Sequence, residues 1–204
     1  MALRPEDLDF VSQFDTVWAV ILGAVLATAG GFAATQMERI VGRRERERNS
    51  ALLFGEVLAT LAVILEIAGN SRGIGEPYGA VTMRILRSAR REIDIYERNR
   101  ERLFDLEDGA LRIRVHTFMV RLAMPLDNFF DVMRELTEAR LAASASPEPS
   151  EEGEALIARL EEQREQEFDF LIENAGRLRQ IIARLEPIAR HSFEGLGDIA
   201  RSPA

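Results

Sequence analysis

The chain has 204 residues, 47% apolar and 29% charged, with a formal net charge of −8 and no cysteine. That length suits one membrane anchor plus one small folded domain, and the apolar share suffices for a packed core. The lack of cysteine excludes disulfides, zinc–thiolate sites and thiol nucleophiles, and the acidic balance argues against nucleic acid as a partner.

All 26 basic residues are arginine. With abundant Ala and Leu, that bias points to a GC-rich bacterial genome rather than to a demand for guanidinium forks. Charge is unevenly spread. Residues 1–35 carry one Arg against four acids, residues 36–142 carry 18 against 17, and residues 143–204 carry seven against 13.

Residues 1–15 form a short acidic arm containing Glu6, Asp7, Asp9 and Asp15. Thr16–Met37 follows, 22 residues without a charge. As a helix it would span roughly 33 Å, enough for a bilayer core of about 30 Å. A transmembrane helix is expected over 16–37, with Trp18 at one interface. Arg39, Arg43, Arg44, Arg46 and Arg48 fall within a basic juxtamembrane segment, 38–50. The positive-inside rule then sets the N-terminus outside and the C-terminal domain in the cytoplasm of a bacterial inner membrane. A cleaved signal peptide is the rival, with Ala27-Thr28-Ala29 as its cleavage site, but its first region should be basic and here it is acidic. The five arginines can also meet anionic headgroups, at up to about 1 kcal/mol each; three acids in the same run weaken that contact, and a plain stop-transfer signal accounts better for the run.

Within the span, Ala19, Gly23, Ala27, Gly31 and Thr35 recur every fourth position. Helices in lipid associate by close backbone approach, which small residues permit, so this stripe reads as a helix-packing face toward another copy or a partner's span. Ala24, Ala29 and Ala33 off the stripe support the plainer reading of an alanine-rich composition.

Ala51–Ala68 is strongly apolar, and its polar residues Glu56, Thr60 and Glu66, with Asn70, share one side of a helix. Two glutamates in lipid are costly, so a buried bundle helix is expected, with a second membrane segment as the alternative. Gly69–Gly79 is a glycine-rich loop; it lacks the preceding strand and the Gly-Lys-Ser/Thr ending of a phosphate cradle.

Ala80–Arg98 reads as an amphipathic helix with Val81, Ile85, Leu86, Ala89, Ile93 and Tyr96 inward. Arg84, Arg87 and Arg91 lie on another face. They form either an anionic-lipid or acidic-partner surface, or a solvated face paired with Glu92, Asp94 and Glu97. Leu103, Phe104 and Leu106 are expected to pin a connection onto the core, and Asp108 to cap the next helix. That helix carries Val115, Phe118, Met119, Leu122, Leu126, Phe129, Phe130, Met133 and Leu136, a stripe that reads as core rather than ligand pocket. Pro125 should kink or split it.

Residues 143–153 read as a flexible acidic linker. Ser150 is the expected N-cap of a long helix over 154–186, stopping before Pro187, with residues 187–204 as a frayed tail. Phe168, Leu171, Ala175, Leu178, Ile182 and Leu185 step by three and four, a helical seam that would pack on its own domain or form a coiled coil with another copy.

The two histidines, His116 and His191, match no metal pattern, and no carboxylate pair or nucleophile stands out. No catalytic residue, cofactor or metal is expected, and the chain reads as a non-enzyme.

The order of parts, an uncharged span, a basic run and then amphipathic helices, resembles that of small bacterial single-span membrane proteins with a helical cytoplasmic domain. The resemblance is one of architecture and implies topology only. The expected fold is all-α: an N-terminal transmembrane helix, then a cytoplasmic antiparallel helical bundle built from 51–142 and 154–186. The expected function is a membrane-anchored interaction or scaffold protein, assembling through transmembrane and helical-seam contacts. The alternative is an accessory or regulatory subunit of a bacterial membrane transport or signalling complex. Expected partners are the lipid bilayer and either a second copy or another membrane protein.

Overall fold

The computed structural model describes the backbone of residues 5–73, 76–145 and 150–193, with side chains from residue 21 onward. The described residues are all-α. Helix α1 is Pro5–Ser71, α2 is Ala80–Arg98, α3 is Gly109–Ala145 and α4 is Glu151–Ala189, with a short 3-10 turn at Arg100–Asp105 between α2 and α3. The side chains of Trp18 and Ala19, part of the acidic linker (146–149) and the tail beyond 193 lie outside what is described.

The chain divides into two compact units, Met1–Arg46 and Glu47–Ala204, the boundary falling inside α1. In the first unit no described side chain is buried. In the second, a single large core draws on every helix. Ala51, Phe54, Leu58, Leu61, Leu65 and Ala68 come from α1, Leu86, Ala89, Ile93 and Tyr96 from α2, Leu111, Val115, Met119, Leu122 and Phe129 from α3, and Phe168, Leu171, Leu178 and Leu185 from α4. Val132, Leu136 and Leu160 form a satellite cluster between α3 and α4.

Contacts between successive helices run in opposite directions. Along α1 and α2, Ser71 Oγ lies 2.9 Å from Thr82 Oγ1, and the Phe54 and Tyr96 rings are 5.9 Å apart. Along α2 and α3, Tyr96 Oη is 2.8 Å from His116 Nδ1, and Arg90 is 3.4 Å from Asp127. Along α3 and α4, Asp108 meets Arg184 at 2.6 Å, Asn128 meets Glu167 at 3.2 Å and Arg140 meets Glu161 at 2.6 Å. Helix α4 returns along α1, with Arg72 on Asp169 at 2.8 Å near one end and Arg48 donating to the Ala189 carbonyl at 3.3 Å near the other.

The 51–68 stretch is spent on this core, and its polar side faces outward: Glu56 and Asn70 are exposed, Thr60 and Glu66 half-buried. Helix α2 has the expected bounds, but its inward face is turned slightly. Val81 is 59% exposed, and Thr82 is buried in its place because its hydroxyl pairs with Ser71. Leu103 and Leu106 pin the connection as expected, whereas Phe104 is 80% exposed beside the Arg112 guanidinium.

Asp108 caps α3: its Oδ1 accepts the Ala110 and Leu111 amides at 2.9 and 3.0 Å. Pro125 does not split α3, which stays one helix through it. Its ring is buried, so packing offsets the loss of one backbone hydrogen bond. Helix α4 starts at Glu151, earlier than expected, behind Ser150 in extended conformation with three glutamates in the first turn, where they suit the helix dipole. It also continues past Pro187 to a left-handed Arg190. A proline this near the C-terminus breaks only a bond of the final turn.

Candidate functional site

In the first unit the chain presents an apolar surface that nothing covers. Ile21, Leu22, Val25, Leu26, Phe32, Met37, Ile40 and Val41 are each at least 46% exposed. Among the described residues α1 is the only helix long and apolar enough to cross a membrane, and half of its most apolar window is buried. Since no described residue before Ser50 is buried, that window is the Ala51–Ala68 part of the helix, whose apolar residues the bundle core already accounts for. The case for a span therefore rests on the earlier segment, whose large apolar side chains are exposed among the described residues. Exposed apolar surface on this scale marks a protein or membrane contact.

The local chemistry of this segment suits a dry environment. Thr28 Oγ1 donates to the Ala24 carbonyl at 2.8 Å and Thr35 Oγ1 to the Gly31 carbonyl at 2.9 Å. Both hydroxyls are satisfied within the helix, leaving no hydrogen-bond demand on the surroundings. Of the small-residue stripe, Gly23, Ala27, Gly31 and Thr35 are all exposed, and a Cβ added at Gly23 or Gly31 would meet nothing within 4 Å. Ala19 lies outside the described side chains.

Arg84, Arg87 and Arg91 are exposed along α2. Of the expected acidic partners Glu92, Asp94 and Glu97, the last two pair instead with Arg90, at 3.5 and 3.8 Å. Arg90 also reaches Asp127 on α3. It is thus the interhelical arginine of α2, and the other three present an outward basic face. Only a residue of α3 distinguishes Arg90 from its neighbours, so sequence spacing alone does not single it out.

The helical seam of α4 lies within its own domain. Phe168, Leu171, Leu178, Ile182 and Leu185 belong to the core and Ala175 packs against it half-buried.

One cluster carries no sequence pattern. The loop after α1 places Tyr78 in the left-handed region, φ 62, with its ring buried against Phe168 and Phe129. Its hydroxyl accepts from Arg72 Nε at 3.0 Å and hydrogen-bonds Glu165. Arg72 also pairs with Glu165 and Asp169, and the Arg164 guanidinium lies 4.2 Å from the Tyr78 ring centre. Burial, first, and the Glu165 hydrogen bond push the Tyr78 phenol up to about 12, against the Arg72 charge. A left-handed tyrosine is held only where its surroundings over-determine it. Here two arginines and two aromatic rings clasp the α1–α2 loop onto α4. The only hint in the sequence is an aromatic residue set within a glycine-rich loop.

Comparison of the chain with protein-family models, with curated proteins and with solved structures finds no match.

Proposed function

We infer that this is a single-span bacterial inner-membrane protein whose helical domain is a cytoplasmic interaction module, non-enzymatic and acting as a scaffold. The observation that carries the reading is the contrast along α1. Its apolar residues from Ala51 onward are covered by the other helices, while those from Ile21 to Val41 are exposed. Leaving eight large apolar side chains in water is unfavourable, at up to about 1.5–3 kcal/mol each relative to full burial, and a bilayer removes that cost.

The antiparallel run of every successive helix contact supports an up-down-up-down bundle for the folded domain. The arginines from Arg39 to Arg48 support a cytoplasmic location for it. Because the α4 seam is occupied by its own core, assembly falls to the Gly23/Ala27/Gly31/Thr35 face rather than to a coiled coil. The outward arginines Arg84, Arg87 and Arg91 are available to an acidic partner or to anionic lipid.

Extraction of native membranes with alkaline carbonate tests the anchor: the full chain should stay with the bilayer, and release into the supernatant would refute the reading. Crosslinking in the same membranes tests the scaffold, which requires adducts between two copies. Adducts to foreign proteins alone would favour an accessory subunit of a larger complex.

A further inference from the structure

We propose that the groove between α3 and α4 binds a phosphate ester through Arg121 and Arg177. The groove is open to solvent on one side and has a volume of about 430 Å³, within the range of roughly 300–1,000 Å³ that small-molecule sites occupy. Its polar lining is Arg114, Thr117 and Arg121 from α3 and Arg177, Gln180 and Arg184 from α4. The two helices supply the same pattern, an arginine, a hydrogen-bonding residue three positions on and a second arginine seven positions on. Because α3 and α4 run antiparallel, as the Asp108–Arg184 and Asn128–Glu167 contacts fix, Arg114 lies toward Arg184 and Arg121 toward Arg177. Thr117 and Gln180 fall between. Buried Phe118 and Ile181 contribute apolar surface to the lining.

The two ends differ in charge balance. Asp108 pairs with Arg184 at 2.6 Å and interacts electrostatically with Arg114. At the other end Arg177 has only the neutral Asn174 side chain, at 3.3 Å, and Arg121 forms no hydrogen bond or ion pair among the described residues. Two guanidiniums facing one groove without a carboxylate repel each other and are relieved by an anion. Their planar forks fit phosphate oxygens in a bidentate manner. A phosphate at Arg121 and Arg177 would leave the ester's organic body over Phe118 and Ile181, within reach of Thr117 and Gln180. The surrounding protein is acidic overall, so this groove is a local reversal of charge rather than part of a general basic surface.

The phosphate can belong to a soluble ester or to a lipid headgroup, and both present the same chemistry. The test uses the full chain in neutral detergent, titrated with phenyl phosphate, inorganic phosphate and benzyl alcohol by calorimetry. Phenyl phosphate should bind at least tenfold more tightly than inorganic phosphate, and benzyl alcohol should show no binding. Arg121→Gln and Arg177→Gln change exposed side chains, so the fold should survive. Each should weaken phenyl phosphate at least tenfold, while Arg134→Gln, at an exposed α3 arginine outside the groove, binds as the parent does. Repeating the titration in nanodiscs with phosphatidylglycerol separates the sources: loss of phenyl phosphate binding relative to phosphatidylcholine discs identifies a headgroup, and unchanged binding identifies a soluble ester. Absence of phenyl phosphate binding, or equal binding by the Arg121→Gln and Arg177→Gln variants, would overturn the assignment.

Discussion

The Phe193 ring occupies the space above Gly55: a Cβ added to Gly55 would lie 2.1 Å from Phe193 Cζ. Phe193 is 3% exposed, and its amide donates to Glu186 Oε1 at 2.9 Å. The chain past α4 is therefore folded back as a plug on α1. Gly55→Ala should displace the ring and destabilise the domain, approaching the about 3–5 kcal/mol expected for Phe193→Ala. In a Phe193→Ala background the same change should reverse sign, because Ala favours a helix over Gly by about 1 kcal/mol. A double-mutant cycle read by thermal unfolding checks this, and additive effects would contradict the plug.

The chain has two tyrosines, and burial pushes both Tyr78 and Tyr96 up to about 12. A phenol whose folded value lies above its unfolded value of about 10 contributes stability that is full below pH 10 and lost as pH rises toward 12. Tyrosinate absorbance should therefore stay low through pH 10 and appear together with unfolding. Tyr78→Phe should flatten part of that alkaline loss while weakening the Arg72 clasp. A tyrosinate signal near pH 10 in the folded protein would be the contrary result.

Asp108 has the opposite sign. The Leu111 amide first, with the Arg184 and Arg114 charges and the Ala110 amide, holds its carboxyl below the usual range. Its contribution is present above about pH 4 and lost as pH falls through the lower folded value. Asp108→Asn keeps a capping oxygen and loses the charge, so it should destabilise less than Asp108→Ala and soften the acid limb of the stability profile. Equal losses from the two variants in acid unfolding curves would count against capping.

Gly23→Leu and Gly31→Leu probe association cleanly, since both positions are exposed and a Cβ added at either meets nothing within 4 Å. Helix propensity also favours Leu over Gly. Self-association measured by energy transfer in bilayers should drop for both variants. Retained association would remove this stripe as the packing face.

Much of the helical layout is legible in the sequence because it follows from periodicity and local chemistry. The bounds of α2, the Asp108 cap and the inward stripe of α3 all follow from spacing. What is not legible depends on neighbours distant in the chain. Thr82 replaces Val81 inside because Ser71 is opposite, and Phe104 stays out because Leu103 and Leu106 fill the available core. Pro125 and Pro187 read as breakers, yet burial of the first and the terminal position of the second leave the helices intact. The chain after α4 packs Phe193 onto the core because Gly55, far away in sequence, leaves room for the ring. The Tyr78 clasp needs α4 returning beside the loop, which no local pattern encodes. In contrast, the matched arginine spacing on α3 and α4 is visible in the sequence, but its meaning appears only once the two helices are set antiparallel.

The central claim is that one membrane crossing separates the acidic N-terminal arm from the helical domain. A topology reporter fused after Ala204 tests it most directly. The account predicts cytoplasmic reporter activity in intact bacterial cells; an external signal would contradict both the single span and the orientation set by Arg39 to Arg48.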